Sequence, residues 1–404
     1  MKKNIKLIAC ILCTALIFSA CTQASSQENK SNNTLTETAK NEFQRNLDAV
    51  KPAAYGNVDG LELEPGSYIS LIGRSGSGEF WKVLERGAQH AIDDLNEMLD
   101  YSGEDKIKMT YSAPSTKDSV DQQVNILDEE LALYPDAVAI AIVDSTACKV
   151  QFDLAAENNI PIIAFESGSE YEAIQSMIST NNNDSAKMAA SKLCEAIGDS
   201  GEVLLFAHDS HSSSATERAK GFTDEIENEH PEVTLANVYY LDQLDDLRQL
   251  VADARNEETQ STPSEGDSES PSIPESAPET ELVQADDITD EEVIQYILEQ
   301  NPNAKGCLAT DDNTTQTVVT AVHGAAKDSF QIIGFEGGTN QLESVRNGDL
   351  AGLVIQNPYG MGYAAIVAAV RAALGLGNEA VVDSGSIWVD QDNMDTETSQ
   401  SFLY

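Results

Sequence analysis

From residue 67 onward the chain alternates between two hydrophobic rhythms. Short apolar runs are followed by longer stretches whose apolar positions recur three and four apart, the signatures of strands and amphipathic helices. The first run, YISLI at 68–72, ends at Gly73. Residues 80–99 then carry Val83, Leu84, Ala88, Ala91, Ile92 and Leu95 at helical spacing. Further strands are predicted over 107–111, 137–143, 161–165, 202–207, 235–241, 306–310, 331–335 and 352–356. Between them helices are predicted over 120–133, 216–227, from 245, and over 290–300, 314–326, 341–347 and 360–374. The run AVAIAIV at 137–143 is apolar at nearly every position, as a central parallel strand covered on both faces must be. Asp144-Ser145-Thr146 offers side-chain acceptors to the helix after it. Such alternation predicts parallel sheets with right-handed crossovers, an α/β fold. About eleven strands are many for one open sheet, so two Rossmann-like lobes, each a parallel sheet flanked by helices, are expected.

Two segments break the rhythm. At the start, Lys2, Lys3 and Lys6 precede an apolar run at 7–18 and then Ser19-Ala20-Cys21. This is the layout of a secretory signal peptide over 1–20, too short to span a membrane. The small residues before the cysteine resemble the lipobox of bacterial lipoproteins, with Phe18 departing from its usual small aliphatic residue. That resemblance implies that Cys21 is acylated, palmitate among its chains, and anchors the protein on the extracytoplasmic face of the cell membrane. Residues 21–66 are polar and are expected to form a lipidated flexible tether, with a coil reach of roughly 35–40 Å. The second break, 256–287, is rich in Ser, Pro, Glu and Thr and carries no Lys or Arg. It is expected to be a disordered acidic insert, because it cannot bury enough surface to offset its ordering entropy.

Of 404 residues, 24 are Lys or Arg and 68 are Asp or Glu, a formal charge of −44. That balance excludes a nucleic-acid partner, since phosphate binding draws on clustered cations. Cys10 and Cys13 leave with the leader, and Cys148, Cys194 and Cys307 show no CxxC or zinc spacing, so they are expected to be small buried hydrophobes. His208 and His211 lack a third ligand and are expected on a solvated loop, with no metal. No nucleophile elbow, triad order or complete nucleotide motif is present, so no catalytic residue, enzyme activity or cofactor is expected.

An open α/β sheet binds its ligands beyond the carboxyl ends of its strands. There the sequence places Phe80-Trp81 after the first strand, Glu166-Ser167 after the fourth, Asp311-Asp312-Asn313 after the strand near 306, Glu336 after the next, and Gln356-Asn357 after the last. Flat aromatic faces and carboxylates suit a ligand rich in hydroxyl or ammonium donors. Asp312 and Asn313 are equally good helix caps.

Taken in order, IGRSGSGEFWKVLERGAQHAIDD, VDSTACKVQFDLAAENNIPIIAFES, ISTNNNDSAKMAASKL, SATERAKGF, ATDDNTT, IIGFEGGTNQLESVRNG and IQNPYGMGYAAI resemble the type 1 periplasmic binding proteins, ribose/galactose branch, a fold shared with LacI-type regulators. The resemblance implies two lobes joined by a three-crossover hinge. One lobe would comprise 67–180 plus 357–385 and the other 181–356 plus 386–404, with crossovers near 180–181, 356–357 and 384–388. It also implies that Phe80, Trp81, Glu166, Asp311, Glu336 and Gln356 bind the ligand, joined by Ser167 and Thr216 where ribose binders carry arginines. Ala141 and Leu244 replace a polar and an aromatic residue. With two cations lost, the site is expected to be more acidic than a ribose site. The implied protein is a monomeric solute-binding protein that serves the permease subunits of an ABC importer. Its ligand would be a sugar or polyol other than ribose. The alternatives are a receptor signalling to a sensor kinase and a binder of a non-sugar, amine-bearing ligand.

Overall fold

The computed structural model describes residues 43–144, 146–261, 282–327 and 329–404. The leader, Cys21 and the middle of the acidic insert lie outside these residues. From Asn46 onward the chain forms one unit built on two six-stranded sheets. The first holds β1 (Tyr68–Ile72), β2 (Lys108–Ser112), β3 (Ala137–Ile140), β4 (Ile162–Phe165) and β5 (Ile174–Ser179). The second holds β6 (Gly201–Ala207), β7 (Val233–Tyr240), β8 (Ala304–Ala309), β9 (Gln331–Phe335) and β10 (Gly352–Gln356). Late in the chain β11 (Val381–Asp383) joins the first and β12 (Ser386–Val389) the second.

The strand orders are β11-β5-β4-β3-β1-β2 and β12-β10-β9-β8-β6-β7, so the two lobes repeat one topology. All pairings are parallel except β10 with β12. Helices α1 (Glu79–Met98), α2 (Val120–Leu131) and α3 (Lys149–Glu157) flank the first sheet. The second lobe carries α4 (Asn182–Ile197), α5 (Ser213–Glu229), α6 (Asp245–Ser261), α7 (Asp290–Gln300), α8 (Asp312–Gly324) and α9 (Thr339–Asn347). Helix α10 (Pro358–Ala373) returns to the first lobe, and α11 (Glu397–Phe402) closes the described chain. The expected α/β fold with two parallel-sheet lobes is what forms.

Helix α10 is apolar all round and buried along nearly its whole length, so it serves as core rather than as a half-exposed face. It runs against α1 at backbone distance. A Cβ on Gly87 would sit 2.0 Å from the Tyr359 carbonyl oxygen, and one on Gly362 would sit 2.0 Å from the Leu84 carbonyl oxygen.

The chain changes lobes three times: between β5 and α4, between β10 and α10, and between β11 and β12. The crossings are tied together. Thr180 Oγ1 donates to Gln356 Oε1 at 2.9 Å, and the Ser384 amide donates to the Ser179 carbonyl at 2.8 Å. Asn357 caps α10 with its oxygen, while its Nδ2 donates to the carbonyls of Ser384 and Asn46, each at 2.7 Å.

Several expectations need correction. Residues 46–66 are no tether: Val50, Tyr55, Val58, Leu61 and Leu63 are buried in the first lobe's core, and Tyr55 Oη accepts the Glu379 amide at 2.6 Å. Few apolar residues scattered among polar ones sufficed to dock this stretch. The insert is also shorter than 256–287. Helix α6 continues to Ser261, and the Asn256 side chain bonds both ways to the Val283 backbone at 3.0 Å. Asp144 does not cap the next helix. It accepts the Thr146 and Ala147 amides in the preceding turn, and α3 begins at Lys149 after Cys148. Strand β3 ends at Ile140, and the third crossing is complete by Ser386. Cys148, Cys194 and Cys307 are free and buried.

Candidate functional site

The site grows from strand ends. Glu166 follows β4 and Glu336 follows β9, equivalent positions in the two lobes. Both are left-handed, with φ of 58° and 76°. Such backbone costs an L-residue roughly 1–2 kcal/mol. Each is held there by its own amide, which donates at 2.9 Å to the neighbouring strand, Glu166 to Ile178 and Glu336 to Val354. The turn leaves each sheet at its carboxyl edge, where both glutamates line one cleft.

In the first lobe the turn after β1 places Arg74 against two carboxylates, Asp118 at 2.7 Å and Glu166 at 3.4 Å. Burial alone would lower the guanidinium's proton affinity, but Glu166 and Asp118 outweigh it and raise it. Tyr111 Oη donates to the Ser75 carbonyl at 2.7 Å and steadies this turn. Phe80 and Trp81, in the first turn of α1, meet edge to face with centroids 5.3 Å apart. Lys117 completes this wall.

In the second lobe Arg218 is buried. Its Nε donates to Asn182 Oδ1 at 2.9 Å and its Nη1 to the Thr310 carbonyl at 2.5 Å, and it lies over the Phe335 ring at 4.2 Å. Burial lowers its proton affinity against the pull of Glu336, Asp311 and Glu166. His208 shares hydrogen bonds with Thr310 Oγ1 and Ser212 Oγ, and burial lowers its pKa. Asp209 is held low by the Ser212 and His211 amides despite its burial. Asp311 caps α8, accepting the Thr314 amide at 2.8 Å. Burial pushes Glu336 up to about 7, reinforced by Asp311 and opposed by Arg218. Gln356 Nε2 donates to Glu336 Oε1 at 3.5 Å, so one side chain touches both the hinge and the site.

These groups enclose about 170 Å³ between the lobes. That is on the order of six waters at ~30 Å³ each. A broader depression of about 760 Å³ lies at the other edge of the second sheet, but its two amines, Lys305 and Lys327, already bind backbone carbonyls. Of the two, it is the cleft that gathers charged side chains from both lobes.

The structure therefore brings together Phe80, Trp81, Glu166, Asp311, Glu336 and Gln356. It does not bring Ser167 or Thr216 to the cleft lining: the Ser167 hydroxyl donates inward to the Ile142 carbonyl at 2.8 Å, and the Thr216 hydroxyl turns back onto the Ser212 and Ser213 carbonyls. Leu244 is core, and the Ala141 carbonyl is occupied by Gln123. Asp311, not Asp312 or Asn313, is the cap. His208 lines the cleft instead of a solvated loop. The expected loss of cations is offset by Arg74, Lys117 and Arg218, which face Asp118, Glu166, Asp209, Asp311 and Glu336. The sequence reading missed Arg74, whose one signal was being the first charge after a strand end. Arg218 had no local signal, because its role depends on the packing of α5. Among the described residues no cluster of three or more His, Cys, Asp or Glu could hold a metal ion, and no helix is long and apolar enough to cross a membrane.

Known proteins agree with this architecture. The profile of the periplasmic binding protein domain matches residues 69–260 and 246–377. The ribose import binding protein of Haemophilus influenzae is 22% identical over 317 residues, covering 78% of this chain and 88% of that protein. A carbohydrate transporter solute-binding protein of Agrobacterium radiobacter, solved with D-arabinose, superposes with a TM-score of 0.63 at 23% identity, covering 84% of this chain and 99% of that one. An ABC transporter solute-binding protein of Agrobacterium vitis, solved with D-fucose, gives 0.62 at 21% identity and covers 84% and 100%. The fold and the cleft define a two-lobed binding protein of the type 1 periplasmic class. The chain belongs to the periplasmic binding protein family.

Proposed function

We propose that this protein is an extracytoplasmic solute-binding protein of an ABC importer, lipid-anchored through Cys21, that captures a monosaccharide or polyol other than ribose by closing its lobes. The observation that carries this reading is the convergence of an aromatic pair with carboxylates from both lobes on one small cleft spanned by three tied crossings. A ligand drives closure only through contacts that are better in the closed state, so it must touch both walls. Trp81 and Phe80 offer faces to a sugar's C–H surface, while Glu166, Asp311 and Glu336 accept its hydroxyls. The absence of arginines at 167 and 216 argues against ribose. Solute-binding proteins solved with D-arabinose and with D-fucose share the fold.

The test is a titration of the purified protein with D-ribose, D-arabinose, D-fucose and D-allose, followed by tryptophan fluorescence in a Trp388→Phe background so that Trp81 alone reports. A saturable change with at least one sugar other than ribose is expected, and ribose as the tightest binder would refute the reading. Glu166→Gln should weaken the sugar that binds by ~1–3 kcal/mol, because its donor would go unpaired. An amine-bearing ligand is the second reading, favoured by five carboxylates against three cations in the lining. Glucosamine binding where glucose does not would establish it. Cys21→Ala should release the protein from membranes into the medium, since two or more acyl chains are needed for stable anchoring.

A further inference from the structure

Two side chains of α1 reach across the cleft. Glu79 accepts from the Thr339 amide and hydroxyl, each at 3.4 Å, at the start of α9. Next to it, Phe80 meets Tyr404 edge to face, with centroids 5.9 Å apart and an interplanar angle of 79°. Phe80 packs on the core of the first lobe and Tyr404 on that of the second.

Tyr404 is placed, not dangling. Thr396 caps α11 through the Ser399 amide, Phe402 is buried in the second core, and Gln400 Nε2 donates to the Met394 carbonyl at 2.9 Å. Its hydroxyl is buried beside the Gly337 amide, in the field of Glu336. The segment after β12 thus delivers a third ring to the aromatic edge of the cleft.

We propose that Tyr404 is a closure-positioning residue: its ring engages Phe80 only when the lobes are shut, so this cross-lobe pair holds the closed form in place. The inference rests on the hinge-closure reading but not on the identity of the ligand. Each ring is fixed to its own core, and rotation about the three crossings is the motion that brings them together or parts them. Glu79 and Thr339 register the same approach one residue away.

The experiment measures lobe separation in the full chain by spin labels at Leu154→Cys and Leu250→Cys, exposed positions on the two lobes. Cys148, Cys194 and Cys307 are buried and stay unlabelled, and Cys10, Cys13 and Cys21 are replaced by serine in every labelled variant. In sugar-free solution Tyr404→Ala should raise the open-to-closed ratio roughly two- to twelve-fold, the range of an aromatic pair, while Tyr404→Phe keeps the parent distribution. Phe80→Ala, made in the other lobe, should give the same shift, and the double variant no more than either alone. Unchanged distances in Tyr404→Ala, or additive shifts in the double variant, overturn the proposal. The sugar reading fails separately, if no monosaccharide narrows the parent's distribution.

Discussion

Glu336 is where geometry and electrostatics oppose each other. Its backbone is left-handed, it lines the cleft together with Asp311, and burial raises its pKa to about 7 from an ordinary 4.5. A raised carboxyl binds its proton more tightly in the folded state. Its stabilisation is therefore complete below about pH 4.5 and is lost as the pH rises through about 7. Glu336→Gln removes that titration. The variant should match the parent in thermal unfolding at low pH and exceed it above neutrality by ~1–3 kcal/mol, less than the full shift implies because the carboxylate still faces the cleft. The same variant should bind sugar more weakly, since an acceptor is gone. Gain in stability with loss of binding is the pattern of a residue kept for its site. Equal unfolding profiles across this pH range would mean that the carboxylate is already compensated by Arg218. The sequence made Glu336 and Glu166 legible because both end an apolar run at a sheet's carboxyl edge. Ser167 and Thr216 came from the resemblance, and spacing does not reveal that their hydroxyls bond nearby carbonyls away from the cleft lining.

At the scale of elements, the pairing of α1 with α10 organises the first lobe. Gly87 and Gly362 let the two helices approach so closely that either added Cβ would strike a carbonyl oxygen. Backbone cannot rotate aside as a flexible side chain can, so the helices must separate and the buried apolar layer around Met361, Ala365 and Ala88 must loosen. Gly362→Ala should therefore destabilise the protein by at least ~1–3 kcal/mol despite its better helix propensity, read as a lowered denaturation midpoint. A neutral or stabilising result would show that the helices part freely. Both helices were legible from their period, whereas α4 over Asn182–Ile197 was not predicted. Strands β5, β11 and β12 were not: β11 and β12 are three- and four-residue edge strands, and β5 sets polar Gln175 and Ser176 side by side before Met177. The packing of 46–66 escaped because a segment docked irregularly shows no period, only a few apolar residues whose destination is tertiary.

At the scale of the whole molecule the question is how two repeated lobes act as one receptor. Each has its own core, and beside the contacts of Glu79 and Phe80 across the cleft the lobes are joined by bonds among the three crossings. Gln356 holds a singular place in that set. Its oxygen takes the Thr180 hydroxyl from the first crossing, and its nitrogen reaches Glu336 in the site. Under the proposed function, a ligand that contacts Glu336 would be felt at the hinge through this one side chain. Gln356→Ala should leave both cores folded, since it cuts no apolar packing. It should nevertheless lose about 1–2 kcal/mol of sugar affinity, some five- to thirty-fold, by freeing the hinge tie and the site contact together. Calorimetric titration reads the affinity, and X-ray scattering reads whether saturating sugar still compacts the variant. Thr180→Val, which removes the hinge donor and leaves the site intact, separates the two roles. If Thr180→Val also lowers affinity, closure energy flows through this bond. If Thr180→Val binds like the parent while Gln356→Ala is weakened, Gln356 acts on the ligand alone and the lobes are coupled through Asn357 and Ser384.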